Sequence, residues 1–97
     1  MLKIAYTENY RKDLVELFKR SPDLKESIDQ NVLLFAKNPE DTRLANHLLR
    51  KSMEGKWAFL ITDNVRIVYE ILGKHTVRFL AIGSHLKVYK RTSQPGS

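Results

Sequence analysis

His47, Arg66, His85 and Tyr89 bring two imidazoles, a guanidinium and a phenol to one small chain. Arg50, Lys51, Lys56, Lys87, Lys90 and Arg91 surround them in sequence with fixed positive charge. Such a set suits cleavage of a phosphodiester by a neighbouring 2′-hydroxyl. A base takes the hydroxyl proton, the oxygen attacks phosphorus, and an acid protonates the departing 5′-oxygen. Histidine titrates where both roles are open to it. A positioned acid or base contributes about 10²–10⁴-fold. Arg66 would stabilise the charge that builds on the phosphorane, and Tyr89 would stack on a base or share in proton transfer. The scheme calls for no metal or other cofactor. His47, His75 and His85 lack close ligand spacing, and there is no cysteine to complete a zinc site.

Each residue also has a plainer role open to it. His47, next to Leu48, could border the core. His85 could be a loop residue bonded to backbone, and Tyr89 could pack against a sheet edge. Arg66 could pair with Glu70, two positions along the same strand face.

The charge distribution bears on the choice. Lys and Arg number 17 against 11 Asp and Glu, a net charge of +6. No acid follows Glu70, whereas Lys74, Arg78, Lys87, Lys90 and Arg91 do. A one-sided basic surface is the footprint of a nucleic-acid binder. A solubilising surface, or a docking face for an acidic protein, would carry the same excess.

These residues need a frame, and 97 residues suffice for one domain. The reading is a domain over residues 1–91 with a disordered polar tail, 92–97. Leu2, Ile4 and Tyr6 alternate as a first strand. Thr7 caps a helix over about Glu8 to Lys19, with Tyr10, Leu14, Leu17 and Phe18 as its apolar stripe. Ser21-Pro22-Asp23 reads as the N-terminus of a second helix that buries Leu24, Ile28, Val32 and Phe35 and stops at Asn38-Pro39. Residues 39–56 read as a loop with one or two helical turns, ending at Gly55. Three strands then close the chain as antiparallel hairpins. They are "WAFLIT", "VRIVYEI" with Val65, Ile67, Tyr69 and Ile71 on one face, and "HTVRFLAI" with Val77, Phe79 and Ala81 opposite Arg78, Leu80 and Ile82. A break at Gly83 would hand His85 and Tyr89 to the rim of a basic concavity. The predicted fold is α+β: two N-terminal helices on one face of a small antiparallel sheet, in the order β-α-α-β-β-β. No apolar run approaches the roughly 18 residues of a membrane span. Nor does the start resemble a signal peptide, so a cytoplasmic protein is expected.

The stretch from Leu44 to Lys90 resembles the toxins of the RelE/ParE superfamily, and within it the YafQ-like and RelE-like mRNA interferases. The resemblance rests on His47-Leu48-Leu49, Gly55-Lys56-Trp57, Arg66-Ile67-Val68-Tyr69 and Ile82-Gly83-Ser84-His85 followed by Val88-Tyr89. It implies the RelE-like fold and a toxin of a type II toxin–antitoxin system. Such a toxin cuts mRNA in the ribosomal A site, against 16S rRNA, and is silenced by a cognate antitoxin protein. By position, His47, Arg66, His85 and Tyr89 match sites where relatives carry catalytic or RNA-contacting residues. Leu86 stands where YafQ-type relatives often have Asp, and "WAFLIT" lacks the polar residues their second strand often carries. Two other readings therefore stay open: a ParE-like inhibitor of DNA gyrase, and a weakly catalytic homologue that serves as an antitoxin-binding module.

Overall fold

The computed structural model describes residues 1–49, 55–85 and 87–88. Arg50, Lys51, Leu86, Tyr89, Lys90, Arg91 and the 92–97 tail lie outside the described residues. In chain order the elements are β1 (Lys3–Tyr6), α1 (Glu8–Arg20), α2 (Lys25–Lys37), β2 (His47–Leu48), β3 (Lys56–Leu60), β4 (Val65–Gly73) and β5 (Thr76–Ser84). The five strands form one sheet in the order β1-β5-β4-β3-β2. This is the expected α+β arrangement.

Local chemistry sets the helix limits. Thr7 Oγ1 accepts the Tyr10 N–H at 3.1 Å and so satisfies one of the free amides of the α1 N-terminus. The same hydroxyl donates to the Phe79 carbonyl at 2.9 Å, fastening the start of α1 to β5. Ser21 behaves differently from expectation. It makes no side-chain cap; Pro22–Leu24 form a 3₁₀ turn, and α2 proper begins at Lys25. Proline fixes φ at a value that the tighter turn also accepts, so the N-terminal signal in the sequence does not choose between the two helix types. Ser21 instead closes α1, its N–H donating to the Leu17 carbonyl at 2.8 Å.

One face of the sheet is sealed by both helices. Phe35 of α2 stacks on Phe59 of β3 with ring centroids 4.2 Å apart, and Tyr69 and Phe79 close round them. Tyr10, Ile28, Val65, Ile67, Val77 and Ile82 complete this core, with Leu14, Leu17 and Phe18 packed against it. Each such side chain taken out of water contributes about 1.5–3 kcal/mol before conformational entropy is charged against it.

The sheet departs from the expected one in four places. β1 pairs with β5 in parallel, Lys3 to Thr76 through Tyr6 to Phe79, so the sheet is mixed. Alternation within a strand carries no information about the direction of its partner. A fifth strand, β2, adds an antiparallel edge to β3 within the stretch read as a loop. Finally, Val68 pairs with Ala81 but Tyr69 with Phe79, which leaves Leu80 as an extra residue in β5. This bulge reverses the phase of the strand. Ile82 therefore joins Val77 and Phe79 in the main core, and Ala81 crosses to the opposite face. Nor does the strand break at Gly83; it runs on to Ser84, with Gly83 paired to Arg66.

Candidate functional site

Neither α1 nor α2 packs on the second face of the sheet. Paired residues share a face, so the register lays out its rows. Leu60, Arg66 and Gly83 form one row; His47, Ala58, Val68 and Ala81 the next; Lys56, Glu70 and Arg78 the third. Ala58, Val68 and Ala81 are buried beneath Leu49 and Val88, with Leu80 packed alongside. The face thus has a small apolar centre and a polar, largely basic border.

Arg66 stands half-buried at that border, anchored by β4, with Val65 and Ile67 turned into the main core. Glu70 does not need it as a partner: the Arg78 guanidinium donates to Glu70 through Nε at 2.9 Å and also through Nη2. Lys56 lies opposite Glu70 in the same row, so one acid offsets two cations there.

His85 opens a helical turn directly after β5 and is exposed. Ser84 Oγ accepts the Lys87 N–H at 3.3 Å, an N-cap on that turn. Val88, fully buried in the second-face cluster, fixes its other end. Gly83 has a steric reason: a Cβ there would sit 3.1 Å from the Lys87 side-chain stem. Lys87 itself turns to α1, its ammonium 3.0 Å from Glu16 Oε2. That contact, first through the hydrogen bond and then through charge, holds the Glu16 carboxyl below its ordinary range. Lys87 is thus engaged with protein acids rather than presented openly to phosphate.

His47 sits on the opposite flank. Its Nδ1 is 2.8 Å from the Ala45 carbonyl, an atom that can only accept, so in this bond Nδ1 carries the proton. Ala45 adopts φ 46°, the left-handed conformation that aims its carbonyl at the ring. Asn46 secures the bend by accepting from the buried Tyr69 hydroxyl at 2.8 Å and donating to the Pro39 carbonyl at 3.0 Å. Burial raises the Tyr69 pKa, keeping the phenol protonated as the donor. The register sets Arg66 opposite Gly83, two residues before His85, so Arg66 and the start of the His85 turn share one end of the second face. Three strand spacings separate β2 from β5, about 14 Å, and two separate it from the strand of Arg66, about 10 Å. Tyr89, Arg50, Lys51, Lys90 and Arg91 lie outside the described residues.

Sequence reasoning passed over Tyr69 and Asn46 as supports, and Asp13 of α1, which is 1% exposed. Asp13 lay on the apolar stripe, three residues after Tyr10 and four before Leu17. An acid on the buried side of a helix was the available signal. No group of three or more His, Cys, Asp or Glu among the described residues could hold a metal ion. No helix among them is long and apolar enough to cross a membrane.

The sequence model of the YafQ family, bacterial toxins of type II toxin–antitoxin systems, matches residues 2–90. The chain belongs to this family. Its fold is similar to that of YafQ from E. coli strain BL21(DE3), with TM-score 0.77, 20% identity and coverage of 92% of this chain and 99% of that one. YafQ in the E. coli DinJ–YafQ complex gives 0.75 at 20% identity, covering 92% and 99%. A YoeB/ParE toxin from Agrobacterium tumefaciens gives 0.73 at 20%, covering 87% and 99%. Curated proteins provide no match. At these identities the structural likeness concerns the fold, and membership rests on the family match. This YafQ-family chain is accordingly a type II toxin with the RelE-like α+β architecture.

Proposed function

We propose that this toxin is a ribosome-dependent mRNA endoribonuclease of the cytoplasm, held inactive by a cognate antitoxin. The observation that carries this is the joint placement of Arg66 and the His85 turn at one end of the uncovered sheet face, in a member of the YafQ family. That end pairs an imidazole, a side chain able to act as acid or base, with a fixed cation on a rigid strand. The RNA 2′-oxygen attacks the adjacent phosphorus and gives up its proton. The bond to the 5′-oxygen breaks and that oxygen is protonated, leaving a 2′,3′-cyclic phosphate. His85 handles one of these protons. Arg66 takes the charge that gathers on the non-bridging oxygens. Tyr89 follows in sequence and is proposed to stack on a base or complete the proton transfer.

His47, three strand spacings from the strand that leads to His85 (about 14 Å) and two from that of Arg66 (about 10 Å), is proposed to meet a neighbouring part of the RNA. Lys56, Arg50, Lys51, Lys90 and Arg91 are assigned to backbone phosphates and to 16S rRNA around the A site, with Lys87 contributing only if its contact with Glu16 opens. The partner is proposed from the E. coli DinJ–YafQ assembly, in which a YafQ toxin is held by DinJ. An antitoxin covering this face is expected to be acidic or amphipathic there.

Expression of the chain alone in a bacterium, with new mRNA ends mapped by primer extension, tests the reading. In-frame cuts in translated messages support it. DNA damage signalling with intact mRNA would replace it with gyrase inhibition. Binding to an antitoxin without growth arrest would make the chain a catalytically silent binding module.

A further inference from the structure

Asp13 has no part in the scheme above, yet it is the buried charged side chain among the described residues. Burying a carboxylate is costly unless it is bonded and paired. Its two oxygens meet the same short stretch of chain. Oδ2 accepts the Ile82 N–H at 3.3 Å, on the side of β5 that β1 no longer covers, since that pairing ends at Phe79. Oδ1 lies 3.9 Å from the Lys87 ammonium, which also bonds Glu16. Ile82 comes three residues before His85 and Lys87 two after it. The amide bond alone does not need a charge, because an asparagine oxygen would accept it equally. A charge adds attraction to the Lys87 ammonium at 3.9 Å, and Gly83 is bare where the Lys87 stem passes.

We propose that Asp13 is a positioning residue: gripping Ile82 and Lys87, it fixes the turn that presents His85 to the RNA. This rests on the endoribonuclease reading for its purpose and on the contacts just described for its geometry. Lys87 then serves the reaction through Asp13, not as a phosphate ligand.

The test combines single-turnover cleavage on programmed ribosomes with NMR of the free protein, for Asp13→Asn, Lys87→Met, the double variant and Lys87→Arg. A misplaced catalytic group costs about ten- to a hundredfold in rate, and each of the first two variants is expected to lose that much with ribosome affinity unchanged. The double variant should be no slower than the slower single one, and Lys87→Arg should recover most of the rate. In the free protein, the His85 imidazole and backbone signals should shift alike in Asp13→Asn and Lys87→Met. The proposal is overturned if Asp13→Asn cuts at the wild-type rate. It is equally overturned if the losses multiply in the double variant, because Lys87 would then act on RNA independently. Should Asp13→Asn fail to fold, Lys87→Met decides: unmoved His85 signals overturn the clamp, and moved signals with rescue by arginine uphold it. If the wild-type protein cuts no RNA, the functional reading fails separately, and the NMR comparison alone judges the clamp.

Discussion

The two faces of the sheet are built on opposite economies. Among the described residues, the helix-covered face buries twelve residues around the Phe35–Phe59 stack and holds most of the aromatic side chains. Among the same residues the second face buries five, two of them alanines, with Arg66, His47 and Lys56 along its border. On the proposed function, stability and chemistry are thereby separated across a single sheet. The strands that carry the candidate side chains on one side are held rigid by packing on the other. Substitutions on the two faces should therefore fail in different ways.

The largest effect belongs to the covered face. Phe35→Ala should cost about 3–5 kcal/mol of stability, because the cavity would open between Phe59, Tyr69 and Phe79. Denaturant unfolding measures this directly, and a loss below 1 kcal/mol would mean that the two-face account misplaces the core. Next comes Arg66→Ala, whose loss should appear in the reaction barrier, at about 2–4 kcal/mol, with the melting temperature nearly unchanged. A large melting shift would make Arg66 a structural residue and blur the contrast. Val88→Ala removes two methyl groups from the second-face cluster and should cost about 1.5 kcal/mol, half or less of the Phe35 effect. It should also slow cleavage, because Val88 anchors the His85 turn.

The smallest effect is electrostatic. The Glu16 carboxyl titrates below its ordinary range because of Lys87. A depressed folded pKa gives stability that is present above the unfolded value and lost as pH falls through the folded one. The small melting difference between wild type and Glu16→Gln at pH 7 should therefore start to shrink as pH falls through the ordinary glutamate range and vanish only below the depressed folded value. A difference that persists in acid would mean the Glu16 side chain contributes by packing.

The faces also differed in how readily they could be read from sequence. The covered face was legible because its signals are periodic: Tyr10, Leu14 and Leu17 along α1, Ile28, Val32 and Phe35 along α2, and Val65, Ile67 and Tyr69 along β4 all pack where their spacing puts them. The second face is written in single residues. β2 is two residues long, too short for any period, so His47 read as a loop residue. The bulge at Leu80 shifts β5 by one position without marking the sequence, which exchanged Ala81 and Ile82. Arg66 fell on the second face as its place between Val65 and Ile67 in the β4 alternation implied. Lys87 looked like a phosphate ligand because no acid is near it in sequence; Asp13 and Glu16 reach it only through the tertiary fold.

The central claim is that the Arg66–His85 end of the uncovered face cuts RNA, and His85→Gln tests it most directly. Glutamine keeps the size and a hydrogen bond but cannot exchange a proton near pH 7. In single-turnover cleavage of A-site mRNA on programmed ribosomes, His85→Gln should be slower than wild type by at least about 10²-fold, with ribosome binding largely retained. Cleavage by His85→Gln at the wild-type rate would contradict the claim and move the proton-exchanging role to His47, at the opposite edge of the same face.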